Sequence, residues 1–167
     1  MHIKPYKLKT DTHKLRYEFI SSGINNQQQS KIIEFQEFKL NELKDLSTHK
    51  YFHGCDSIFN LAFGDTEDGE AFSDDTVTNN GDMLIVLRTV ALAVENFLLE
   101  HPNSVILFRG SSKSRTRLYR MHLNKFYEEI SSQFMIFSAY NGEIRGFESG
   151  VNAQAFFIKN HSNRGAK

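Results

Sequence analysis

Residues 82–120 read DMLIVLRTVALAVENFLLEHPNSVILFRGSSKSRTRLYR, and this stretch decides the fold. Asp82–Glu100 predicts a central helix. At about 100° per residue, Ala93, Val86, Phe97, Val90, Val94, Leu87, Leu98, Ala91 and Leu84 fill one wide arc, and Ile85, Leu92 and Leu99 form a second, narrower stripe. A helix apolar on two sides is buried on two sides, so the second stripe is expected to meet another helix of the chain or a second subunit. Asn80 or Asp82 can cap the helix, and His101-Pro102-Asn103 ends it. Ser104–Phe108 (SVILF) is short and fully apolar, the pattern of a strand at a sheet centre. Lys113–Gln133 then predicts a second long helix.

Outward from this centre, the signals are those of strands. Leu15–Ser21 (LRYEFIS) and Lys31–Lys39 (KIIEFQEFK) are rich in aromatic and β-branched residues, with the loop GINNQQQ between them. Asn41–Leu46 reads as a short helical turn. Ser57–Phe63 (SIFNLAF) reads as a third strand, and the acidic stretch Gly64–Asn80 as a surface loop. Phe134–Tyr140 (FMIFSAY) is followed by Asn141-Gly142, a strong hairpin signal, and Glu143–Glu148 pairs back. Gln154–Lys159 (QAFFIK) is the last strand. The order is β-β-β-α-β-α-β-β-β. It predicts an α+β fold with a mixed, mainly antiparallel sheet and two long helices packed on it, as a single domain over residues 1–160 with a polar tail at 161–167.

Composition sets the broad class. The 167 residues are 40% apolar and 24% charged, which suits one soluble globular domain. The 20 basic and 20 acidic side chains cancel, which excludes a globally basic nucleic-acid binder but not a local one. The charges are unevenly spread. Residues 1–50 sum to +3, residues 51–100 to −9 and residues 101–167 to +6. Either the poles neutralise each other in the fold or each faces its own partner. The single cysteine, Cys55, excludes an intramolecular disulfide and favours a reducing cytosol. MHIKPYKLKT has no apolar core of a signal peptide. Met83–Leu99 includes Arg88 and Glu95 and falls short of the roughly 20 apolar residues of a bilayer span, so no membrane location is expected.

The candidate site is Arg109–Arg120, RGSSKSRTRLYR. Gly110 permits a tight exit from the strand, and Ser111, Ser112 or Ser114 can cap the helix. Free backbone N–H groups and the positive end of the helix dipole meet here, a geometry that suits an anion. Lys113, Arg115 and Arg117 then occupy the first turns, where an exposed cation is disfavoured by about 0.3–1 kcal/mol. From His101 to Tyr127 there is no carboxylate. The helical wheel puts Leu118, Tyr119, His122, Leu123, Phe126, Tyr127 and Ile130 toward the sheet, and Lys113, Arg117, Arg120 and Asn124 toward solvent. Arg115 falls on the apolar half and needs a bound anion or a carboxylate of the chain, because an unpaired buried charge is very costly. The anion-binding set is Arg109, Gly110, Ser111, Ser112, Lys113, Ser114, Arg115, Arg117 and Arg120. The alternative is internal: Asp65, Glu67, Asp68, Glu70, Asp74 and Asp75 cover the basic helix start. The segment is neither a P-loop, for it lacks the second glycine, nor a nucleophile elbow.

Other constellations read as ordinary surface. His49, His53, Cys55 and Asp56 lie within eight residues, but their spacing matches no standard zinc site, and neither a metal nor a cofactor is expected. Glu37-Phe38-Lys39 resembles the E-x-K pair of metal-dependent nucleases, with Asp56 out of order, and reads as an exposed charge pair. The acidic stretch lacks the EF-hand register. Gly142, Gly146 and Gly150 either admit a close backbone or ligand or relieve strand ends.

Between Asp56 and Asn160, DSIFNLAFGD, NNGDMLIVLRTVA, VILFRGSSKSRTRLYRMHLNKFYEEI and YNGEIRGFESGVNAQAFFIKN resemble a family of small bacterial proteins, a domain of unknown function. The most specific part is FRGSSKSRTRLYR, which resembles a G-S-[ST]-x-x-R-T-R-L-Y pattern. The resemblance implies a bacterial cytosolic protein and brings no activity, ligand or catalytic residue.

Three functions compete. A binding module holds phosphate of nucleic acid or nucleotide at 109–120, with Tyr119 and Tyr140 available to stack on bases if exposed. A protein–protein regulator of the antitoxin, immunity or anti-defence type uses the acidic loop 65–75 on a partner protein and the second stripe of the central helix for a homodimer. A phosphoryl-transfer enzyme or nuclease needs metal carboxylates beside the basic helix start, for which Glu37, Asp56 and Asp65 are the only candidates. The binding module is the expectation.

Overall fold

A computed structural model of the chain describes residues 3–23, 27–38, 50–66, 72–73, 81–110, 113–148 and 150–161, without the side chains of residues 72, 73, 114, 115 and 118. The strands are β1 (Lys9–Thr10), β2 (Arg16–Ser21), β3 (Gln29–Glu37), β4 (Ser57–Thr66), β5 (Phe72–Ser73), β6 (Ser104–Phe108), β7 (Phe134–Tyr140), β8 (Glu143–Gly146) and β9 (Ala155–Asn160). The helices are α1 (Met83–Glu100) and α2 (Lys113–Ser131), and Lys50–Phe52 forms a 3-10 turn. The fold is α+β with a mixed, mainly antiparallel sheet, as the patterning predicts: of the strand pairs described here only β4 with β6 is parallel. The chain forms two compact units, residues 1–35 with 62–100, and residues 36–61 with 101–167.

In the first unit, β1, β2 and β3 pair antiparallel, with Thr10 opposite Tyr17 and Tyr17 opposite Ile33. The alternation of β2 buries Tyr17, Phe19 and Ser21 and turns Ile20 outward, 52% exposed. Phe35 on β3 stacks on Phe97 of α1 at 4.2 Å and meets Tyr17 edge-on at 5.9 Å. Burying a side chain of this size stabilises by about 1.5–3 kcal/mol. The wide arc of α1 is the buried one, through Val86, Val90, Ala93, Val94, Phe97 and Leu98. The narrow stripe is not buried along its length: Ile85 and Leu92 are half-buried and Leu99 stands 81% exposed. The described neighbour on that flank is the N-terminal segment rather than a helix, for the Tyr6 N–H donates to Thr89 Oγ1 at 2.9 Å and the Tyr6 hydroxyl to Asp82 at 2.5 Å. Those anchors, Asp82 and Thr89, lie about 25 and 15 Å from Leu99 at 1.5 Å per residue.

The expected loop at Gly64–Asn80 is corrected at both described ends. β4 continues through Gly64, Asp65 and Thr66, and Phe72–Ser73 pairs back on it, Asp65 opposite Ser73. A carboxylate tolerates a buried strand here because Lys31 neutralises it.

In the second unit, Ser57–Leu61 of β4 runs parallel to β6, whose five residues are all buried. β9 pairs antiparallel with β6, then β7 with β9 and β8 with β7. Phe52, Ile58, Val105, Leu107, Phe137, Ala155 and Phe157 form one core cluster, and Leu123, Ile136, Ala153 and Phe156 form another beneath α2. Asn141 and Gly142 both have positive φ, 49° and 79°, the signature of the two-residue hairpin that Asn-Gly predicts. The Asn41–Leu46 turn, Lys39 and the tail at 162–167 lie outside the described residues.

Candidate anion-binding site

β6 leaves the sheet at Phe108, and Arg109 follows it into solvent. The strand exit and the first turn of α2 are joined by a hydrogen bond. The Gly110 N–H donates to Thr116 Oγ1 at 3.0 Å, and Thr116 is itself buried. The first turn of α2 is thereby tied back to the strand exit at Gly110. No acidic residue occupies the first turn of α2.

Arg109, Lys113 and Arg117 are exposed. Among the described residues, no carboxylate pairs with any of them or with Arg120. Lys113 and Arg117 stand four residues apart, a like-charge spacing that costs a helix about 0.2–0.5 kcal/mol. Arg120 departs from the wheel: it is half-buried, and its guanidinium donates to Asn152 Oδ1. Asn124 is half-buried too. The segment between β8 and β9 accounts for Arg120, through Asn152, and Phe147 of the same segment stacks on Tyr127 at 4.8 Å. Ser111 and Ser112 lie outside the described residues, as do the side chains of Ser114 and Arg115. The site is therefore built here from Arg109, Gly110, Lys113, Arg117 and Arg120.

Tyr119 is not available for base stacking. It is buried at 6% exposure and stacks on Phe108 at 4.7 Å, because its place on the sheet side of α2 overrides its phenol. The half-buried Tyr140 carries the Arg145 guanidinium over its ring at 5.3 Å.

The weaker constellations are described only in part. Glu37, His53 and Asp56 are exposed, and His49 and Lys39 lie outside the described residues. Burial pushes the Cys55 thiol up in pKa, against the opposing field of Lys159, so the thiolate is disfavoured. No group of three His, Cys, Asp or Glu able to hold a metal occurs among the described residues. Asp65 is committed to Lys31, and the other acidic residues of 67–75 lie outside the described set.

A polar cluster in the first unit escapes sequence reasoning. Lys31 is 1% exposed and bonds Asp65 at 2.6 Å. Asp82 Oδ2 accepts hydrogen bonds from Ser21 Oγ and the Tyr6 hydroxyl, both at 2.5 Å. Burial pushes the Asp82 carboxyl up, but those two hydroxyls, its own backbone N–H and the nearby Lys31 outweigh it and hold the group below its usual range. The readable signals were Lys31 on the inward period of KIIEF and Asp82 as a helix cap.

A model of a family of unknown function (DUF6934) matches residues 2–161, a longer stretch than the motif-bearing 56–160. No curated protein and no solved structure matches the chain. Among the described residues, no helix is long and apolar enough to cross a membrane.

Proposed function

The chain belongs to that family, and on this premise we propose that it is a binding protein whose basic strand-to-helix turn holds phosphate groups of nucleic acid or nucleotide. The observation that carries this reading is the set Arg109, Lys113 and Arg117, exposed and without a described carboxylate partner, around a helix start with no acidic residue. A chain selected for stability alone would place Asp or Glu there. An external anion supplies the missing negative charge. The Gly110 N–H bond to Thr116 Oγ1 holds the strand exit against the first turn of α2. The cations act as positioning charges on the phosphates and carry no base specificity. A reducing cytosol suits the single Cys55.

The test is fluorescence anisotropy with short labelled DNA and RNA at several salt concentrations, with mononucleotide and inorganic phosphate as competitors. Three phosphate contacts give a log–log slope of about −2.7 on duplex DNA. Arg109→Ala, Lys113→Ala and Arg117→Ala each reduce the slope by about 1. Full competition by a mononucleotide assigns the site to nucleotide rather than polymer. Absence of binding at low salt, or variants that bind like the parent, overturns the reading.

A further inference from the structure

The β7–β8 hairpin exposes a sheet edge whose chemistry is self-complementary. Asn141 and Gly142 make a two-residue turn, so Tyr140 and Glu143 close it as a hydrogen-bonded pair. Bonded and non-bonded pairs alternate along an antiparallel ladder. Ser138 with Arg145 is therefore the next bonded pair, and Ala139 with Ile144 is a non-bonded one. The N–H and C=O of Ile144 consequently point away from β7, as do those of Gly146. Among the described residues, no strand pairs β8 on that side.

The two faces of β8 differ. Ile144 packs partly buried against the cluster of Phe52 and Phe137. Glu143 and Arg145 lie on the other face, 68% and 47% exposed and 3.1 Å apart. An edge of this kind is a template for strand addition. The order Glu-Ile-Arg selects the occupant. In an antiparallel pair centred on Ile144, Glu143 faces the partner's Arg145 and Arg145 faces the partner's Glu143. Ile144 and the partner's Ile144 exchange two main-chain hydrogen bonds on the two-fold axis, with their side chains together on the apolar face. An unrelated extended peptide would make the main-chain bonds without the reciprocal charges.

We propose that β8 pairs with β8 of a second copy of this chain, continuing the sheet across a two-fold axis at Ile144. This is independent of the phosphate reading. A four-residue strand buries far less than the roughly 1,600 Å² of a standard interface, so the dimer is weak and concentration-dependent.

Sedimentation velocity on the full chain, up to about 1 mM, tests it. The weight-average mass rises toward the dimer with concentration. Glu143→Arg and Arg145→Glu each weaken association about tenfold, because two attractive cross-strand pairs become repulsive. An equimolar mixture of the two single variants associates like the parent, since opposite charges again face each other. Both side chains are exposed, so both variants fold. A monomer at every concentration overturns the proposal. So does self-association that neither variant changes, and so does an edge that takes up only an added extended peptide.

Discussion

Lys31 Nζ lies 2.6 Å from Asp65 Oδ1, with the two side chains only 1% and 8% exposed. This pair ties β3 to the buried end of β4. Removing one partner of a buried pair leaves an uncompensated charge, which typically costs about 3–5 kcal/mol. Lys31→Met and Asp65→Leu are each expected to lower stability by about 3 kcal/mol in urea unfolding. The double variant is expected to recover a large part of that loss, because an apolar pair carries no desolvation penalty. Losses that simply add would show that the two groups do not act as a pair.

The same pair explains what the sequence conceals. Asp65 reads as the first residue of an acidic loop because its counter-ion stands 34 residues upstream. Only the fold shows that a charge there can enter a strand. β1 and β5 are two-residue ladders set by their partner strands, with no pattern of their own. By contrast, SVILF, the Asn-Gly hairpin and the wide arc of α1 are continuous local patterns, and each forms where it is expected. The site divides likewise. Exposure of Lys113 and Arg117 follows from the wheel, whereas the Arg120–Asn152 bond joins residues 32 apart and leaves no local signal.

Asp82 makes the first unit acid-sensitive. Its folded carboxyl titrates below the ordinary value of 3.8, held down by Ser21, Tyr6 and Lys31 against the upward push of burial. The stability it contributes is complete above that ordinary value and is lost as pH falls through the lower, folded one. Asp82→Asn is expected to lower stability at neutral pH and to flatten the acid limb of the stability profile. Ser21→Ala and Tyr6→Phe remove one donor each, and a hydrogen bond to a charged group contributes about 1.5–3 kcal/mol. Thermal melts from neutral to strongly acid pH read this directly. An acid limb unchanged in Asp82→Asn would assign the acid sensitivity elsewhere.

Tyr17 acts at the alkaline end. The residue is fully buried, and that burial pushes its phenol up to about 12. A phenol kept neutral by folding contributes stability below the unfolded value of 10.0, and this is lost as pH rises toward about 12. Tyr17→Phe keeps the ring against Phe35 and is expected to remove that alkaline loss. Ultraviolet titration of the parent should show a late-ionising step that the variant lacks. A parent titration with no late step beyond that of the variant would refute the burial argument.

Thr116 tests whether the strand-to-helix turn acts through its shape as well as its charge. The hydroxyl accepts from the Gly110 N–H at 3.0 Å, and the side chain is buried. Thr116→Val keeps the volume and leaves that N–H without its acceptor, at a cost of about 1–3 kcal/mol. Every cation of the site is untouched, so electrostatics alone predicts unchanged phosphate affinity. If the preset turn matters, affinity falls while the salt slope stays that of the parent, because the number of phosphate contacts is the same. Anisotropy titrations at several salt concentrations separate the two. A parallel downward shift supports a preorganised turn, a changed slope means that contacts were lost, and unchanged affinity leaves Arg109, Lys113 and Arg117 acting as simple charges.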